Sequence, residues 1–358
     1  MKVLIATGGT GGHINPAIDL AEAIYADDNK NEVIFFGSND RLESQMIPEK
    51  GYRFFGYDFV VPEGSFLEKI KAVISILKAK KYCRALLNQE KVDVVIGFGN
   101  YITIPMIMEA KRKGIPTVIH EQNSFAGKAN LYLKKYADLI VGSYPSNKEQ
   151  FNSNNFQLLG NPSSTKAKDV TWDKNELTKF GLSPDKPFVL VMMGSLGSKS
   201  VSKIMDEACS LLDDTFQVII VNGSLNDYAY EFKENENIKI VQYVDGKKLL
   251  KGCDIAVLRA GATTIAEITA IGVASVIIPS PYVVNNHQYY NAKELEDNHA
   301  CILLNEKELN AQILADTINS LMKDVNKKEE LKKNILALGY PNAAQDMIKY
   351  VKGLLKNG

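Results

Sequence analysis

The chain has 358 residues, 45% apolar and 23% charged, values ordinary for a globular protein with a full core and about two domains. Its 42 Lys and Arg balance 42 Asp and Glu, which argues against a nucleic-acid partner, because such domains are usually basic throughout. Cys83, Cys209, Cys253 and Cys301 stand far apart with no Cys-x-x-Cys pair, and neither a signal peptide nor a long apolar run is recognised, so a disulfide framework, a zinc site and a membrane span are not expected.

Val3–Ala6 reads as a buried strand. The loop Gly8-Gly9-Thr10-Gly11-Gly12-His13 follows, then a helix from about Pro16 to Tyr25, with proline in a favourable first turn. Four glycines let the backbone approach an anion closely, and the amides and helix N-terminus supply positive potential. A dinucleotide fingerprint needs a third glycine where Ile14 stands, which weakens a dehydrogenase reading. His13, where loop becomes helix, can serve as a general base or polar contact, or merely order the loop. Glu32–Phe36 is the next strand. Phe66, Ile70, Val73, Ile74 and Leu77 then share one helix face, with Lys69, Lys71, Lys78, Lys80, Lys81 and Arg84 in the same stretch and Lys111-Arg112-Lys113 beyond it. Such a helix either lies on an anionic membrane surface or buries its apolar face in the core.

Val92–Ile96, Pro116–His120 and Leu139–Val141 read as further strands. Gly97-Phe98-Gly99-Asn100-Tyr101 is another close-approach loop, weak taken alone. His120-Glu121-Gln122-Asn123, with Gly127 and Asn130 following, puts consecutive polar residues at the C-terminal end of a strand, where functional loops lie in such sheets. His120 and Glu121 are adjacent and lack a His-Glu-x-x-His continuation, so no metal is assigned there. Residues 143–187 lose the pattern, and some of them can connect two domains.

At Phe188–Met192 the opening arrangement repeats: strand, loop Met193-Gly194-Ser195-Leu196-Gly197-Ser198, helix to about Cys209. Gln217–Val221, Ile238–Gln242, Ile255–Leu258 and Ser275–Ile278 continue it. Arg259 to Glu267 opens a helix with Gly, Ala and Thr, and Glu267 lies one turn in, where a carboxylate can hold a ribose diol or simply favour the helix dipole. Asn285-Asn286-His287-Gln288 and Asn291 offer amides suited to sugar hydroxyls. The repeat predicts an α/β protein of two doubly wound domains, with ligand in a cleft at the strand C-termini; the alternative is one large sheet with an insertion. The last helix, about Ala343–Leu355, can pack on either domain. Without Asp-x-Asp or clustered His and Cys, no metal or other cofactor is expected, and a pyrophosphate would be stabilised by backbone amides and helix ends.

Taken in order, GGTGGH-x-x-P-A, HEQN-x-x-x-G-x-x-N, the Gly-Ser-x-Gly loop, RAGA-T-T-x-x-E and N-H-Q-x-x-N-A resemble the MurG family of peptidoglycan N-acetylglucosaminyltransferases over residues 1 to about 340. The resemblance implies the GT-B fold, two Rossmann-like domains facing a cleft. Residues 1–162 would bind the acceptor and face the membrane, 163–340 would bind UDP-GlcNAc, and 341–358 would form a helix packing back on the first domain. It implies an inverting transfer of GlcNAc from UDP-GlcNAc to the MurNAc C4 hydroxyl of lipid I (undecaprenyl-pyrophosphoryl-MurNAc-pentapeptide), giving lipid II for cell-wall growth. The protein would act peripherally at the cytoplasmic face of the cell membrane, on its anionic inner surface.

Carried over by position, Thr10, Gly11 and Gly12 contact the pyrophosphate region, and His13 is the base, unless an unidentified carboxylate is. Asn123 and Gln288 reach the sugar, Ser195 the phosphates, and the Val244 backbone the uracil. Ala262, Thr263, Thr264, Ile265, Ala266 and Glu267 hold ribose and phosphate, with Glu267 on the ribose hydroxyls. Met193, Ser164 and Leu258 depart from the usual glycine, arginine and serine. A non-hydrolysing UDP-sugar epimerase and a non-catalytic nucleotide-sugar-binding protein are the rival readings.

Overall fold

Short Val-, Ile- and Phe-rich runs separated by amphipathic segments cannot close hairpins; each strand must cross over through a helix to pair in parallel. The computed structural model of the protein, which describes residues 1–60, 66–194, 197–223 and 226–356, contains two such sheets in separate units. The first unit is Met1–Thr165 with the C-terminal stretch from Asn342; the second is Lys166–Pro341. The single-sheet alternative is thereby excluded.

In the first unit the chain runs β1 (Lys2–Thr7), α1 (Gly11–Asp27), β2 (Glu32–Ser38), α2 (Glu43–Glu49), β3 (Arg53–Tyr57), α3 (Phe66–Glu90), β4 (Val94–Phe98), α4 (Thr103–Arg112), β5 (Thr117–Glu121), α5 (Lys128–Leu133), β6 (Leu139–Gly142), α6 (Ser146–Phe151) and β7 (Phe156–Leu158). The strand order is β3-β2-β1-β4-β5-β6-β7, all parallel. The order reverses between β1 and β4, and the crevice beyond their C-terminal ends is the topological switch point where such sheets bind ligands. β1, β4 and β6 are buried on both faces, as parallel strands covered by helices must be.

The second unit follows α7 (Ser163–Lys168) with β8 (Phe188–Met192), α8 (Lys199–Ala208), β9 (Gln217–Val221), β10 (Ile238–Val241), α9 (Gly246–Gly252), β11 (Ile255–Leu258), α10 (Ala262–Ile271), β12 (Ser275–Ile277), α11 (His287–Asp297), β13 (Ile302–Leu303), α12 (Ala311–Lys323) and α13 (Val325–Ala337). Its order is β10-β9-β8-β11-β12-β13, and the reversal lies between β8 and β11. The final helix α14 (Ala343–Lys356) belongs to the first unit. Its Ala344, Met347, Ile348 and Val351 join the core around Ile14, Ile18 and Ile24, and Tyr350 donates to Gln157 at 2.9 Å.

Among the strands, three escaped the sequence reading. β3, β7 and β13 sit at sheet edges, where strands are only partly covered, and at five, three and two residues they are too short to carry a clear pattern. Residues 143–158 are therefore the rim of the first sheet, not a connection. Helix α1 starts at Gly11, ahead of the expected Pro16, with Thr10 as N-cap. Pro16 lies inside the helix and supplies no amide to the Gly12 carbonyl.

Helix α3 turns its small side to the core: Ala72, Ser75, Ala79 and Cys83 are buried. The apolar stripe named above points outward, with Ile70, Val73, Ile74 and Leu77 exposed by 41%, 56%, 45% and 59%. The core reading of that stripe is corrected for these four residues. Small residues let a helix approach a sheet closely, and the bulky row is left on the far side.

Candidate active site

Thr7 ends β1 and its hydroxyl donates to the His13 carbonyl at 3.1 Å. Gly9 adopts φ +95°, which glycine alone takes without strain. Its amide is not free for an anion: it donates to Glu43 Oε2 at 3.0 Å, while Glu43 Oε1 accepts from the Ser38 amide at 3.0 Å. Glu43 is fully buried, and its carboxylate fills the space that a side chain on Gly8 would need. From the opposite side Asn100 donates its Nδ2 to the Gly8 carbonyl and accepts the Ile102 amide at 2.8 Å. Glu43 and Asn100 thus clamp the first glycine loop. The Gly11 and Gly12 amides, at the start of α1, have no acceptor one turn before them in the helix.

His13 is the third residue of α1. Its Nδ1 lies 3.2 Å from Thr10 Oγ1, and its ring lies against Gly99. A β-carbon on Gly99 would come within 2.5 Å of His13 Cδ2 and 2.7 Å of Nε2. Gly99 also has φ +64°, so the loop after β4 is glycine for two reasons at once.

The HEQN tetrad divides. His120 is fully buried, and Nε2 lies 3.1 Å from the Gly160 carbonyl, so that nitrogen carries the proton. Burial pulls its pKa down to about 4, so the imidazole is neutral near pH 7. Glu121 accepts from the amides of Asn123 at 3.0 Å and Gly127 at 2.9 Å and from Asn130 Nδ2 at 2.9 Å. Burial nonetheless raises its pKa above the usual carboxylate value. Gln122 is buried too; of the four, Asn123 alone is partly exposed. Three of the tetrad therefore build the loop that presents the fourth. Ser163 and Ser164 are buried, and Ser163 donates to Asp19 at 2.5 Å, so this stretch packs inside the unit.

In the second unit Ser195 lies outside the described residues. Around it, Gly194 and Gly197 have φ +83° and +67°, and Ser198 caps α8 by accepting the Val201 amide at 3.4 Å. Helix α10 begins at Ala262, whose side chain is buried with those of Ile265 and Ala266; the Ile265 amide is taken by the Gly261 carbonyl at 2.9 Å. Thr263 and Thr264 are partly exposed in the first turn, and Thr263 Oγ1 has no partner among the described residues. Glu267, one turn on, faces Lys247 Nζ at 3.5 Å. The Val244 backbone makes no hydrogen bond among the described residues, which leaves it open to an edge-on base. Gln288 accepts the Ser280 amide at 2.9 Å, so its NH2 group is the end left to donate.

Sequence reasoning missed Glu43 and gave Gly99 and Asn100 little weight. Among the described residues no group of three or more His, Cys, Asp or Glu is placed to hold a metal ion.

Comparison with known proteins places this arrangement. Residues 3–141 match the glycosyltransferase family 28 N-terminal domain, and residues 188–347 match its C-terminal domain. A solved structure of MurG from Acinetobacter baumannii superposes with a TM-score of 0.77 at 23% identity, covering 98% of this chain and 99% of that one. A putative UDP-N-acetylglucosamine 2-epimerase from Listeria monocytogenes superposes at 0.72 with 12% identity, covering 100% and 97%. At such identities the likeness is one of fold. The fold and its paired switch-point loops define a GT-B glycosyltransferase. Two curated relatives carry the description UDP-N-acetylglucosamine--N-acetylmuramyl-(pentapeptide) pyrophosphoryl-undecaprenol N-acetylglucosamine transferase. That from Halalkalibacterium halodurans is 34% identical and that from Listeria monocytogenes 35%, each match covering 99% of this chain and 100% of the relative. The chain belongs to this family, the MurG transferases.

Proposed function

We propose that the protein transfers N-acetylglucosamine from UDP-GlcNAc to the C4 hydroxyl of MurNAc in lipid I, with inversion, to give lipid II. The observation that carries this reading is the full-length identity of 34–35% to relatives described by that transfer. The epimerase shares the fold at only 12% identity, so that rival is not favoured.

In this reading the first unit binds the acceptor and the second binds the donor. Thr10 Oγ1 accepts the Nδ1 proton of His13, which leaves the Nε2 lone pair to take the proton from the acceptor hydroxyl. The freed oxygen attacks C1 of GlcNAc, the bond from C1 to the phosphate oxygen breaks, and UDP leaves with the electron pair. Unpaired amides at the starts of α8 and α10 face the charge that develops on UDP. Glu267 holds the ribose hydroxyls, Val244 the uracil, and Gln288 with Asn123 the sugar.

The acceptor is lipid-borne, and α3 supplies a surface for it. Its four exposed apolar side chains accompany Lys71, Lys78 and Lys81, which have no partner among the described residues, whereas Arg84 and Arg112 are tied to the buried Glu109. Each basic side chain near an anionic surface contributes about 1 kcal/mol. We place the protein peripherally at the cytoplasmic face of the membrane on this ground; no helix among the described residues is long and apolar enough to cross a bilayer.

The deciding experiment follows UDP release from UDP-GlcNAc with and without a short-chain lipid I analogue, with mass spectrometry of the product. Release only with acceptor, together with a disaccharide product, is expected. Turnover without acceptor would move the assignment to an epimerase, and binding without turnover to a nucleotide-sugar sensor. Loss of liposome pelleting in the folded Ile74→Glu, Leu77→Glu double variant tests the membrane surface.

A further inference from the structure

An arginine in a loop that faces a nucleotide diphosphate invites the assumption that it binds phosphate. We infer instead that Arg259 is a positioning residue: its buried pair with Glu306 fixes the N-terminus of α8 for the donor diphosphate, and its guanidinium does not contact that diphosphate. The inference rests on the reading that the second unit holds UDP-GlcNAc.

Arg259 directly follows β11, and α8 follows β8, so the two flank the second switch point. Arg259 is only 7% exposed. Nη1 donates to Glu306 Oε2 at 2.6 Å and to the Ile278 carbonyl at 3.0 Å. Nη2 donates to Ser198 Oγ at 2.6 Å. Ser198 is the N-cap of α8, and Ser200, in its first turn, donates to Glu306 Oε1 at 2.6 Å. One ion pair therefore reaches the first turn of α8 twice, once through each partner, and also the chain beyond β12. Both charges are desolvated and meet at contact distance, so their fields largely cancel outside the pair. A cation so neutralised is a poor anion ligand. A rigid neutral brace is well suited to holding helix amides where an anion will sit.

The two roles predict opposite signs for one substitution. Glu306→Gln frees the guanidinium from its carboxylate while keeping the side-chain shape. A phosphate-binding arginine would then hold UDP more tightly. A positioning arginine loses its anchor, and UDP binds about 10-fold more weakly, the worth of one charge-assisted hydrogen bond.

Calorimetric titration with UDP and with uridine, on the full chain with its melting temperature recorded, separates the cases. Weaker UDP binding with uridine binding unchanged within about two-fold supports the inference, because the brace then acts on the phosphates alone. Tighter UDP binding overturns it, as does equal weakening of UDP and uridine. If Glu306→Gln does not fold, Ser198→Ala leaves the ion pair intact and carries the test: selective weakening for UDP supports the brace, and unchanged UDP affinity overturns it. Wild-type protein that binds neither UDP nor uridine would remove the donor reading itself, a failure visible before any variant is made.

Discussion

In the first unit Asn100, from the loop after β4, reaches back across the switch point to the Gly8 carbonyl; in the second Arg259, from the loop after β11, reaches back to the Ser198 hydroxyl. Each clamp is completed by a buried carboxylate from elsewhere in its unit, Glu43 at the start of α2 on the Gly9 amide and Glu306 beyond β13 on Arg259. The topology is shared and the charge is not. The first clamp joins a neutral amide to a lone carboxylate, with no cation beside it, on the loop that carries His13. The second is an internally neutralised pair beside helix amides, which leaves their positive ends unopposed. A doubly wound sheet fixes where a ligand binds, while the residues that brace the loops tune which charge is welcome there.

This contrast can be broken most sharply at His13. His13→Ala should lower kcat by about 100- to 10,000-fold, the usual worth of a general base, with UDP-GlcNAc affinity unchanged in calorimetry. A matching loss of donor binding would end the division of labour between the units. Gly99→Ala drives a methyl into the His13 ring at a positive φ. It should cost kcat roughly 10- to 100-fold through misplacement of the base. Its counterpart Gly197→Ala, whose new carbon would lie 2.4 Å from the Asn222 carbonyl, should raise the donor KM instead. Glu267→Gln should raise the KM for UDP-GlcNAc about 10-fold and leave the acceptor KM alone, as initial rates at varied donor and acceptor will show.

The last test reads stability instead of activity. His120 is buried in the first unit with a pKa of about 4 against 6.5 when unfolded, whereas His287 and His299 of the second unit are partly or fully exposed. The unfolded chain binds the proton more readily. Stability from this group is therefore complete above about pH 6.5 and is lost as pH falls toward about 4. The gap of about 2.5 pH units is worth roughly 3 kcal/mol. Denaturant titrations at pH 7 and pH 5 should show roughly 2 kcal/mol of that loss in wild type and a flatter response in His120→Gln. An equal slope in both would show that other groups govern acid sensitivity.

Much of the plan was legible in one dimension. Strand, glycine loop and helix recur because a backbone that turns at positive φ beside a strand end has one cheap residue; Gly9, Gly194 and Gly197 all stand there. The repeat of that unit was enough to call for two doubly wound sheets. The edge strands β3, β7 and β13 were not legible, since half-covered strands of five, three and two residues leave too little pattern to read. Periodicity found the apolar stripe of α3 but not its direction. Which face meets the core depends on how closely Ala72, Ala79 and Cys83 let the helix approach, and that is a property of the packed sheet. The clamps were also silent: Glu43 lies 34 residues from Gly9, Asn100 lies 92 from Gly8, and Glu306 lies 47 from Arg259. A local motif records the constraints that a chain segment places on its own backbone. A brace between distant segments exists only once the sheet has set their strand ends side by side, so the tertiary structure alone decided which side chains hold the loops and with what charge.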